Sequence, residues 1–324
     1  SRVVARRSAG VSPAVDPGLV ARYFGESSPR DLDARDPEDL AAVCIAHWRA
    51  GAHRPAGQAV ARVIHPDLER DGWRSVHSVV LIVTDDMPFL VDSVRMLLDR
   101  HGLAVHLMIH PMLAVERDEA GRLLGLAERG GMVEAWTMIE IDRCDEALGA
   151  QLEADLHQVL DDVRTAVTDW GAMRTRTQQL AQELSADSSA PVSKLLNWLS
   201  RRRFVFLAMG TFALGEGGLD FVEGTGLGLL RHPQPLDPPM AMHQRLVSVS
   251  RTDALCTVHR PTRMTCIAVR TYADDGSVRG EERIIGLFAE AAYRETVTET
   301  PYLSQRAEAV MSGSGFAADS HSGR

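Results

Sequence analysis

Between Val79 and Met112 the apolar pattern changes period twice. Val79 to Val83 is an unbroken apolar run rich in β-branched residues, the pattern of a buried strand, and Thr84, Asp85 and Asp86 close it with side chains that bond turn backbone. Pro88 suits a first helical turn, and Asp86 is placed to cap it. Phe89, Leu90, Val94, Leu97 and Leu98 then recur at helical spacing, with Asp92, Arg95 and Asp99 on the other face. Gly102 sits where a helix end favours positive φ, so a second strand is expected from Leu103 onward.

The same reading extends along the chain. Asp36-Pro37-Glu38-Asp39 starts a helix striped by Leu40, Val43, Cys44 and Trp48 and stopped at Gly51. Val60 to Ile64 is an edge strand, followed by turns at His65-Pro66 and Asp71-Gly72. Val105 to Val115 is a strand interrupted at Pro111, Arg117 to Gly121 a turn, and Val133 to Ile141 another strand. Leu148, Leu152, Leu156, Val159, Leu160, Val163, Val167 and Trp170 step by threes and fours, which predicts a helix from about Asp145 to Met173. The β-α-β-β-α order predicts an antiparallel sheet with helices on one face.

Beyond it the pattern loosens. Arg174 to Asp187 is helical but polar, Ser185 to Pro191 reads as a linker, and Val192 to Arg201 as a short helix. Strands are expected over 204–214, 219–222, 245–250, 265–272 and 283–288, the last two flanking the hairpin signal Asp274-Asp275-Gly276. A final helix is expected over 302–312. The fold class is therefore α+β, with a boundary near residue 190. The expected parts are an N-terminal arm and helical lead-in (1–75), an α/β domain (76–173), a helical linker (174–201), a second antiparallel β-rich domain (202–293), and a C-terminal helix and tail (294–324).

Composition narrows the function. The 324 residues are 45% hydrophobic and 24% charged, with a formal net charge of −9, which disfavours nucleic acid and anionic membranes as partners. The first residues lack the apolar run of a secretion signal, and no window reaches the roughly 18 apolar residues of a membrane helix. A cytoplasmic protein is expected. Cys44, Cys144, Cys256 and Cys266 are widely spaced and form no metal or redox motif, so free buried thiols are expected. Lys194 is the only lysine.

At this point a resemblance enters. The β-turn-α-β order, with Asp86-Met87-Pro88 after the strand and His101-Gly102-Leu103 after the helix, resembles an ACT domain, the ligand-sensing or oligomerising module of amino-acid metabolism. The string TDDMPFLVDSV (Thr84–Val94) is similar to the N-terminal region of the large bacterial NAD-specific glutamate dehydrogenases. DLAAVCIAHWRAG (Asp39–Gly51), HPMLAVERDEAGRL (His110–Leu123), CTVHRP (Cys256–Pro261), ERIIGLFAEAAY (Glu282–Tyr293) and the segment from Pro301 to Arg324 support that family in its order. The resemblance implies an ACT-like first domain and a second unit that is ACT-like or PAS-like. It also implies a parent that oxidises L-glutamate to 2-oxoglutarate and ammonia with NAD, and a tail that leads on to further domains. Catalysis in glutamate dehydrogenases uses several lysines, which Lys194 alone does not supply. The chain is thus expected to be a regulatory and oligomerising segment that binds no NAD itself, with its own copies and the catalytic region as partners. The alternative is a free-standing amino-acid sensor.

The candidate sites follow. A helix N-terminus offers free N–H groups to a carboxylate, and ACT domains of the sensing type bind amino acids at this turn, so Asp85, Asp86, Met87, Pro88 and Phe89 are the candidate effector site. The departure is Phe89, which stands where the sensing motif has glycine and whose ring would fill the site. Thr257, His259, Arg260 and Arg263 gather polar and basic groups suited to an anionic effector or to an interdomain salt bridge. His106 and His110, four apart on a strand, would lie about 13 Å from each other, too far for one metal ion. Gly224-Thr225-Gly226-Leu227-Gly228 lacks phosphate-loop spacing and reads as a turn. No catalytic, cofactor-binding or metal-binding residue is expected. Dispersed acids such as Asp85, Asp86 and Asp92 are the only basis for an enzyme reading.

Overall fold

The computed structural model describes residues 15–16, 18–33, 35–71, 73–184, 190–231, 245–296 and 301. The helix expected over 302–312, Gly72 and the linker residues 185–189 lie outside them. Contacts divide the chain into two compact units, one comprising Ser1–Val163 with Thr257–Arg260, the other Arg164–Cys256 with Pro261–Arg324.

The first unit begins with helices α1 (Leu19–Tyr23), α2 (Pro29–Asp33) and α3 (Pro37–Ala50), followed by β1 (Val60–Ile64) and the short α4 (Leu68–Asp71). The α3 start is as expected, with Asp36 at the N-cap accepting from the Glu38 N–H at 2.7 Å. Then come β2 (Ser78–Asp85), α5 (Leu90–Arg100), β3 (Val105–Ile109), β4 (Met112–Arg117), β5 (Leu123–Leu126), β6 (Met132–Ile141) and α6 (Glu146–Glu183). The break at Pro111 separates β3 from β4, which pair with successive stretches of β6. The sheet order is β1-β2-β6-β4-β5, all antiparallel, with β1 at the edge as its sequence suggested.

Strand parity assigns the two faces. Val79, Leu81 and Val83 stand opposite Glu140, Met138 and Trp136, and their apolar members join Tyr23, Val43, Cys44 and Trp48 of α1 and α3 in one core. Val80 and Ile82, with Ile139 and Ile141, point the other way. They are fully buried, as are Leu98 of α5 and Leu152, Leu156, Leu160 and Val163 of α6. The helical lead-in is therefore part of this domain's core and covers the face opposite the one the β-α-β-β-α pattern accounts for. Close approach sets one residue: a Cβ at Gly51 would lie 2.4 Å from the Trp136 ring, which itself stacks on Trp48 at 5.6 Å.

The helix α6 is continuous for 38 residues. Its stretch beyond Met173, polar on average, still buries Leu180 and Ala181 in the second unit's core. That unit continues with α7 (Ala190–Trp198), a π-type turn over Leu199–Arg203, β7 (Phe204–Gly215), β8 (Gly218–Phe221), β9 (Leu227–Gly228), β10 (Val247–Leu255), β11 (Arg263–Tyr272), β12 (Val278–Phe288) and α8 (Glu290–Tyr293). Its antiparallel sheet runs β10-β11-β12-β7-β8, with the expected hairpin closing β11 on β12. Leu195, Leu196 and Leu199 pack with Phe204, Phe206, Ile267, Val269 and Ile284 beneath them. The glycine-rich stretch is a turn leading into β9, and residues 229–231 directly after it are not helical.

Candidate functional site

The turn after β2 differs from the expected helix start. The helix begins at Leu90, its N-cap is Phe89, and no side chain caps it, so Pro88 lies in the turn and Asp86 is exposed. Phe89 adopts φ 69°, ψ 0°, the left-handed conformation that glycine takes most easily. Proline followed by a positive-φ residue is the signature of a type II turn. The backbone therefore keeps the glycine-like geometry of the sensing motif while carrying a ring.

That ring is engaged. It lies 4.7 Å, centroid to centroid, from the His259 ring, and His259 also has positive φ (71°). The His259 N–H donates to Ser93 Oγ at 3.0 Å, and Ser93 Oγ donates to the Phe89 carbonyl at 2.6 Å. His259 Nδ1 is 3.2 Å from Asp92 Oδ2, and the Thr257 hydroxyl donates to Asp162 at 2.7 Å. Burial pushes the Asp162 carboxyl up from its ordinary pKa. His259 thus lies against the N-terminal turn of α5. Arg263 starts β11 in the second unit, exposed and 3.6 Å from Asp253.

Asp85 is drawn the opposite way, into a buried charge network that the sequence reading missed. Glu134, opposite Asp85 in the sheet, is fully buried. Arg54 reaches it through Nη2 at 2.7 Å and Nε at 3.0 Å, and gives Asp85 a further bond from Nη2 at 2.9 Å. Arg117 adds a bidentate pair at 2.6 and 2.9 Å, and the Trp136 indole N–H donates at 3.2 Å. The remaining guanidinium donors end on the carbonyls of Gln58, Gly51 and Gly121. Two arginines and two carboxylates balance. One signal was available: in VEAWTMIEI, Glu134 shares parity with Trp136 and Met138, so a charge sits on the inward face.

The histidines of this region have separate partners. His101 bonds Asp155, His106 bonds Asp142 and stacks on His77 at 4.0 Å, and His110 bonds Thr137. Among the described residues no group of three or more His, Cys, Asp or Glu is placed to hold a metal ion. The four cysteines are buried and form no disulfide, and burial pushes the Cys44 and Cys266 thiols up. No helix among the described residues is long and apolar enough to cross a membrane.

The left-handed Phe89 yields a direct expectation. A β-branched side chain tolerates that conformation least, and glycine most. Phe89→Val should destabilise the chain by about 2 kcal/mol or more, whereas Phe89→Gly, relieving about 1 kcal/mol of backbone cost while losing the ring contact, should change stability by less than about 1 kcal/mol. Urea unfolding of both variants checks this. Valine equal to glycine would mean that the backbone there relaxes freely.

The first unit, a six-stranded antiparallel sheet with this proline turn, resembles an ACT-type domain. Residues 19–156 match the family model described as glutamate dehydrogenase, ACT1 domain. The chain as a whole resembles the N-terminal region of NAD-specific glutamate dehydrogenases. It is 33% identical over 94% of its length to the NAD-specific glutamate dehydrogenase of Halomonas elongata, and 30% identical over 94% to that of Pseudomonas aeruginosa. It is 28% identical over 83% of its length to the protein of the same name from Mycobacterium tuberculosis. The chain spans about a fifth of the length of these relatives, 21%, 20% and 17% respectively.

Proposed function

We propose that this chain is a regulatory and assembly segment of a cytoplasmic NAD-specific glutamate dehydrogenase, the parent of which converts L-glutamate, NAD and water to 2-oxoglutarate, ammonia and NADH. The observation that carries the reading is the ACT1 match over residues 19–156 in a chain that aligns with only a fifth of its relatives. The single lysine, Lys194, supports it, because arginine stays charged and does not replace lysine in amine chemistry. Its partners are its own copies and the catalytic region of the parent, and NAD belongs to that region.

Within this reading the turn Asp85–Phe89 acts as a packed joint. Asp85 is committed to Arg54, and the space over Phe89 is taken by His259. Transmission of an effector signal from the chain requires two states with different contacts, and an effector biases them only through its difference in affinity.

The purified chain, assayed with glutamate and NAD, should form no NADH, and in sedimentation it should self-associate. Turnover above the blank would overturn the non-catalytic half of the proposal, and a monomer at every concentration tested would overturn the assembly half.

A further inference from the structure

The second unit has a cavity of about 510 Å³ between α6 and the sheet, well away in sequence from the proline turn. Its walls include Gly171, Arg176 and Glu282, and its apolar lining is Ala172, Met209 and Leu227. That volume is within the range of small-molecule sites, and the mix of an apolar floor with a few polar groups is the usual composition of one.

Two features set the cavity apart from an accidental groove. Gly171 stands in the interior of α6, where glycine is a poor helix former, and nothing lies within 4 Å of the position a Cβ would occupy. No close approach requires glycine there. Its structural effect is to leave the cavity wall without a side chain. The second feature is Glu282, which is 4% exposed but loosely held. Its bonds from Arg176 are 3.3 and 3.4 Å and that from the Thr211 hydroxyl is 3.2 Å, against about 2.7–2.9 Å for ordinary charge-assisted pairs. Asp169 of the same unit shows the tight arrangement, with Arg231 at 2.5 and 2.6 Å and the Gly228 N–H at 2.8 Å.

A buried carboxylate gains from a closer cation, and Arg176, also bonded to the exposed Glu183 at 2.9 Å, can turn to a new anion. The ligand that satisfies both carries a positive and a negative group a few ångströms apart on a small apolar or polar body. We propose that this cavity binds a free α-amino acid, its ammonium on Glu282, its carboxylate on Arg176 and its side chain over Met209 and Leu227. A dinucleotide does not suit it, since two phosphates would face one guanidinium beside a carboxylate. The site deepens the regulatory reading above by giving the effector a place and a chemical class, and it rests on that reading for its purpose, not for the binding itself.

The test is calorimetric titration of the whole 324-residue chain with each protein amino acid. At least one should bind with a Kd below about 1 mM, and its N-acetyl and amide derivatives should not. Glu282→Gln should weaken binding about tenfold or more. Gly171→Leu, placed in open space on a helix, should abolish binding while leaving the unfolding midpoint unchanged or raised, so loss of affinity cannot be put down to misfolding. Binding of no amino acid, equal binding of the blocked derivatives, or affinity unchanged in both variants would each overturn the proposal. None of these results bears on the NADH and sedimentation assays, so the site and the regulatory reading can fail separately.

Discussion

Replacing Glu134 by alanine is expected to cost about 3–5 kcal/mol of unfolding free energy, a large part of what a domain of this size has. The reason lies in what remains. Arg54 is 1% exposed and Arg117 is nearly as enclosed, and Glu134 supplies most of the negative charge that compensates them. Removing it leaves two guanidinium groups out of water with only Asp85 to answer them. Urea unfolding followed by tryptophan fluorescence reads the loss, because Trp136 touches the same carboxylate. Glu134→Gln, which keeps the shape and loses the charge, should fall between wild type and alanine. Removing Arg54 as well should cost less than the sum of the two single changes, as expected of groups sharing one network. A loss below about 1 kcal/mol for Glu134→Ala would mean that water reaches the arginines freely.

Acidification should act mainly through His47. Its Nε2 is 3.0 Å from the Ile82 carbonyl, which can only accept, so Nε2 carries the proton and Nδ1 accepts from the Tyr23 hydroxyl at 2.6 Å. Burial pushes the imidazole from 6.5 down to about 3. The unfolded chain therefore binds a proton that the folded chain refuses. This contribution is full above pH 6.5 and declines as the pH falls toward 3, amounting to about 2 kcal/mol between pH 8 and pH 5. His110, also lowered by burial, adds in the same direction. Unfolding free energies of wild type and His47→Gln at the two pH values should show the variant less stable at pH 8 and flatter by about that amount. Equal slopes would place the pH dependence elsewhere.

Much of the fold was legible along the chain. The run Val79–Val83, the stripe Leu90–Leu98, the edge strand Val60–Ile64, the break at Pro111 and the hairpin at Asp274–Gly276 all declare themselves within a few residues, because period and turn chemistry are local. The helix start at Leu90 was not legible. Pro88 and Asp86 form a reasonable first turn by propensity, but the chain takes a type II turn and puts Phe89 in a conformation propensity disfavours. The end of α6 was blurred for a related reason: beyond Met173 its polar average hid Leu180 and Ala181, which are buried by a sheet formed much later in the chain.

For the candidate sites the division is sharper. The sequence by itself determined the fold class, the proline turn and the family it resembles, since each rests on residues adjacent or regularly spaced. It also marked Asp85 to Phe89 and His259 as worth attention. Only the tertiary structure decided that Asp85 belongs to Arg54 and Glu134, that His259 lies on Phe89, and that Arg263 pairs with Asp253. Partners 31 and 80 positions apart, and a His259–Ser93 bond that spans 166, leave no periodic trace, because what joins them is the free energy of neutralising buried charge and donors, which exists only once the chain has closed around them.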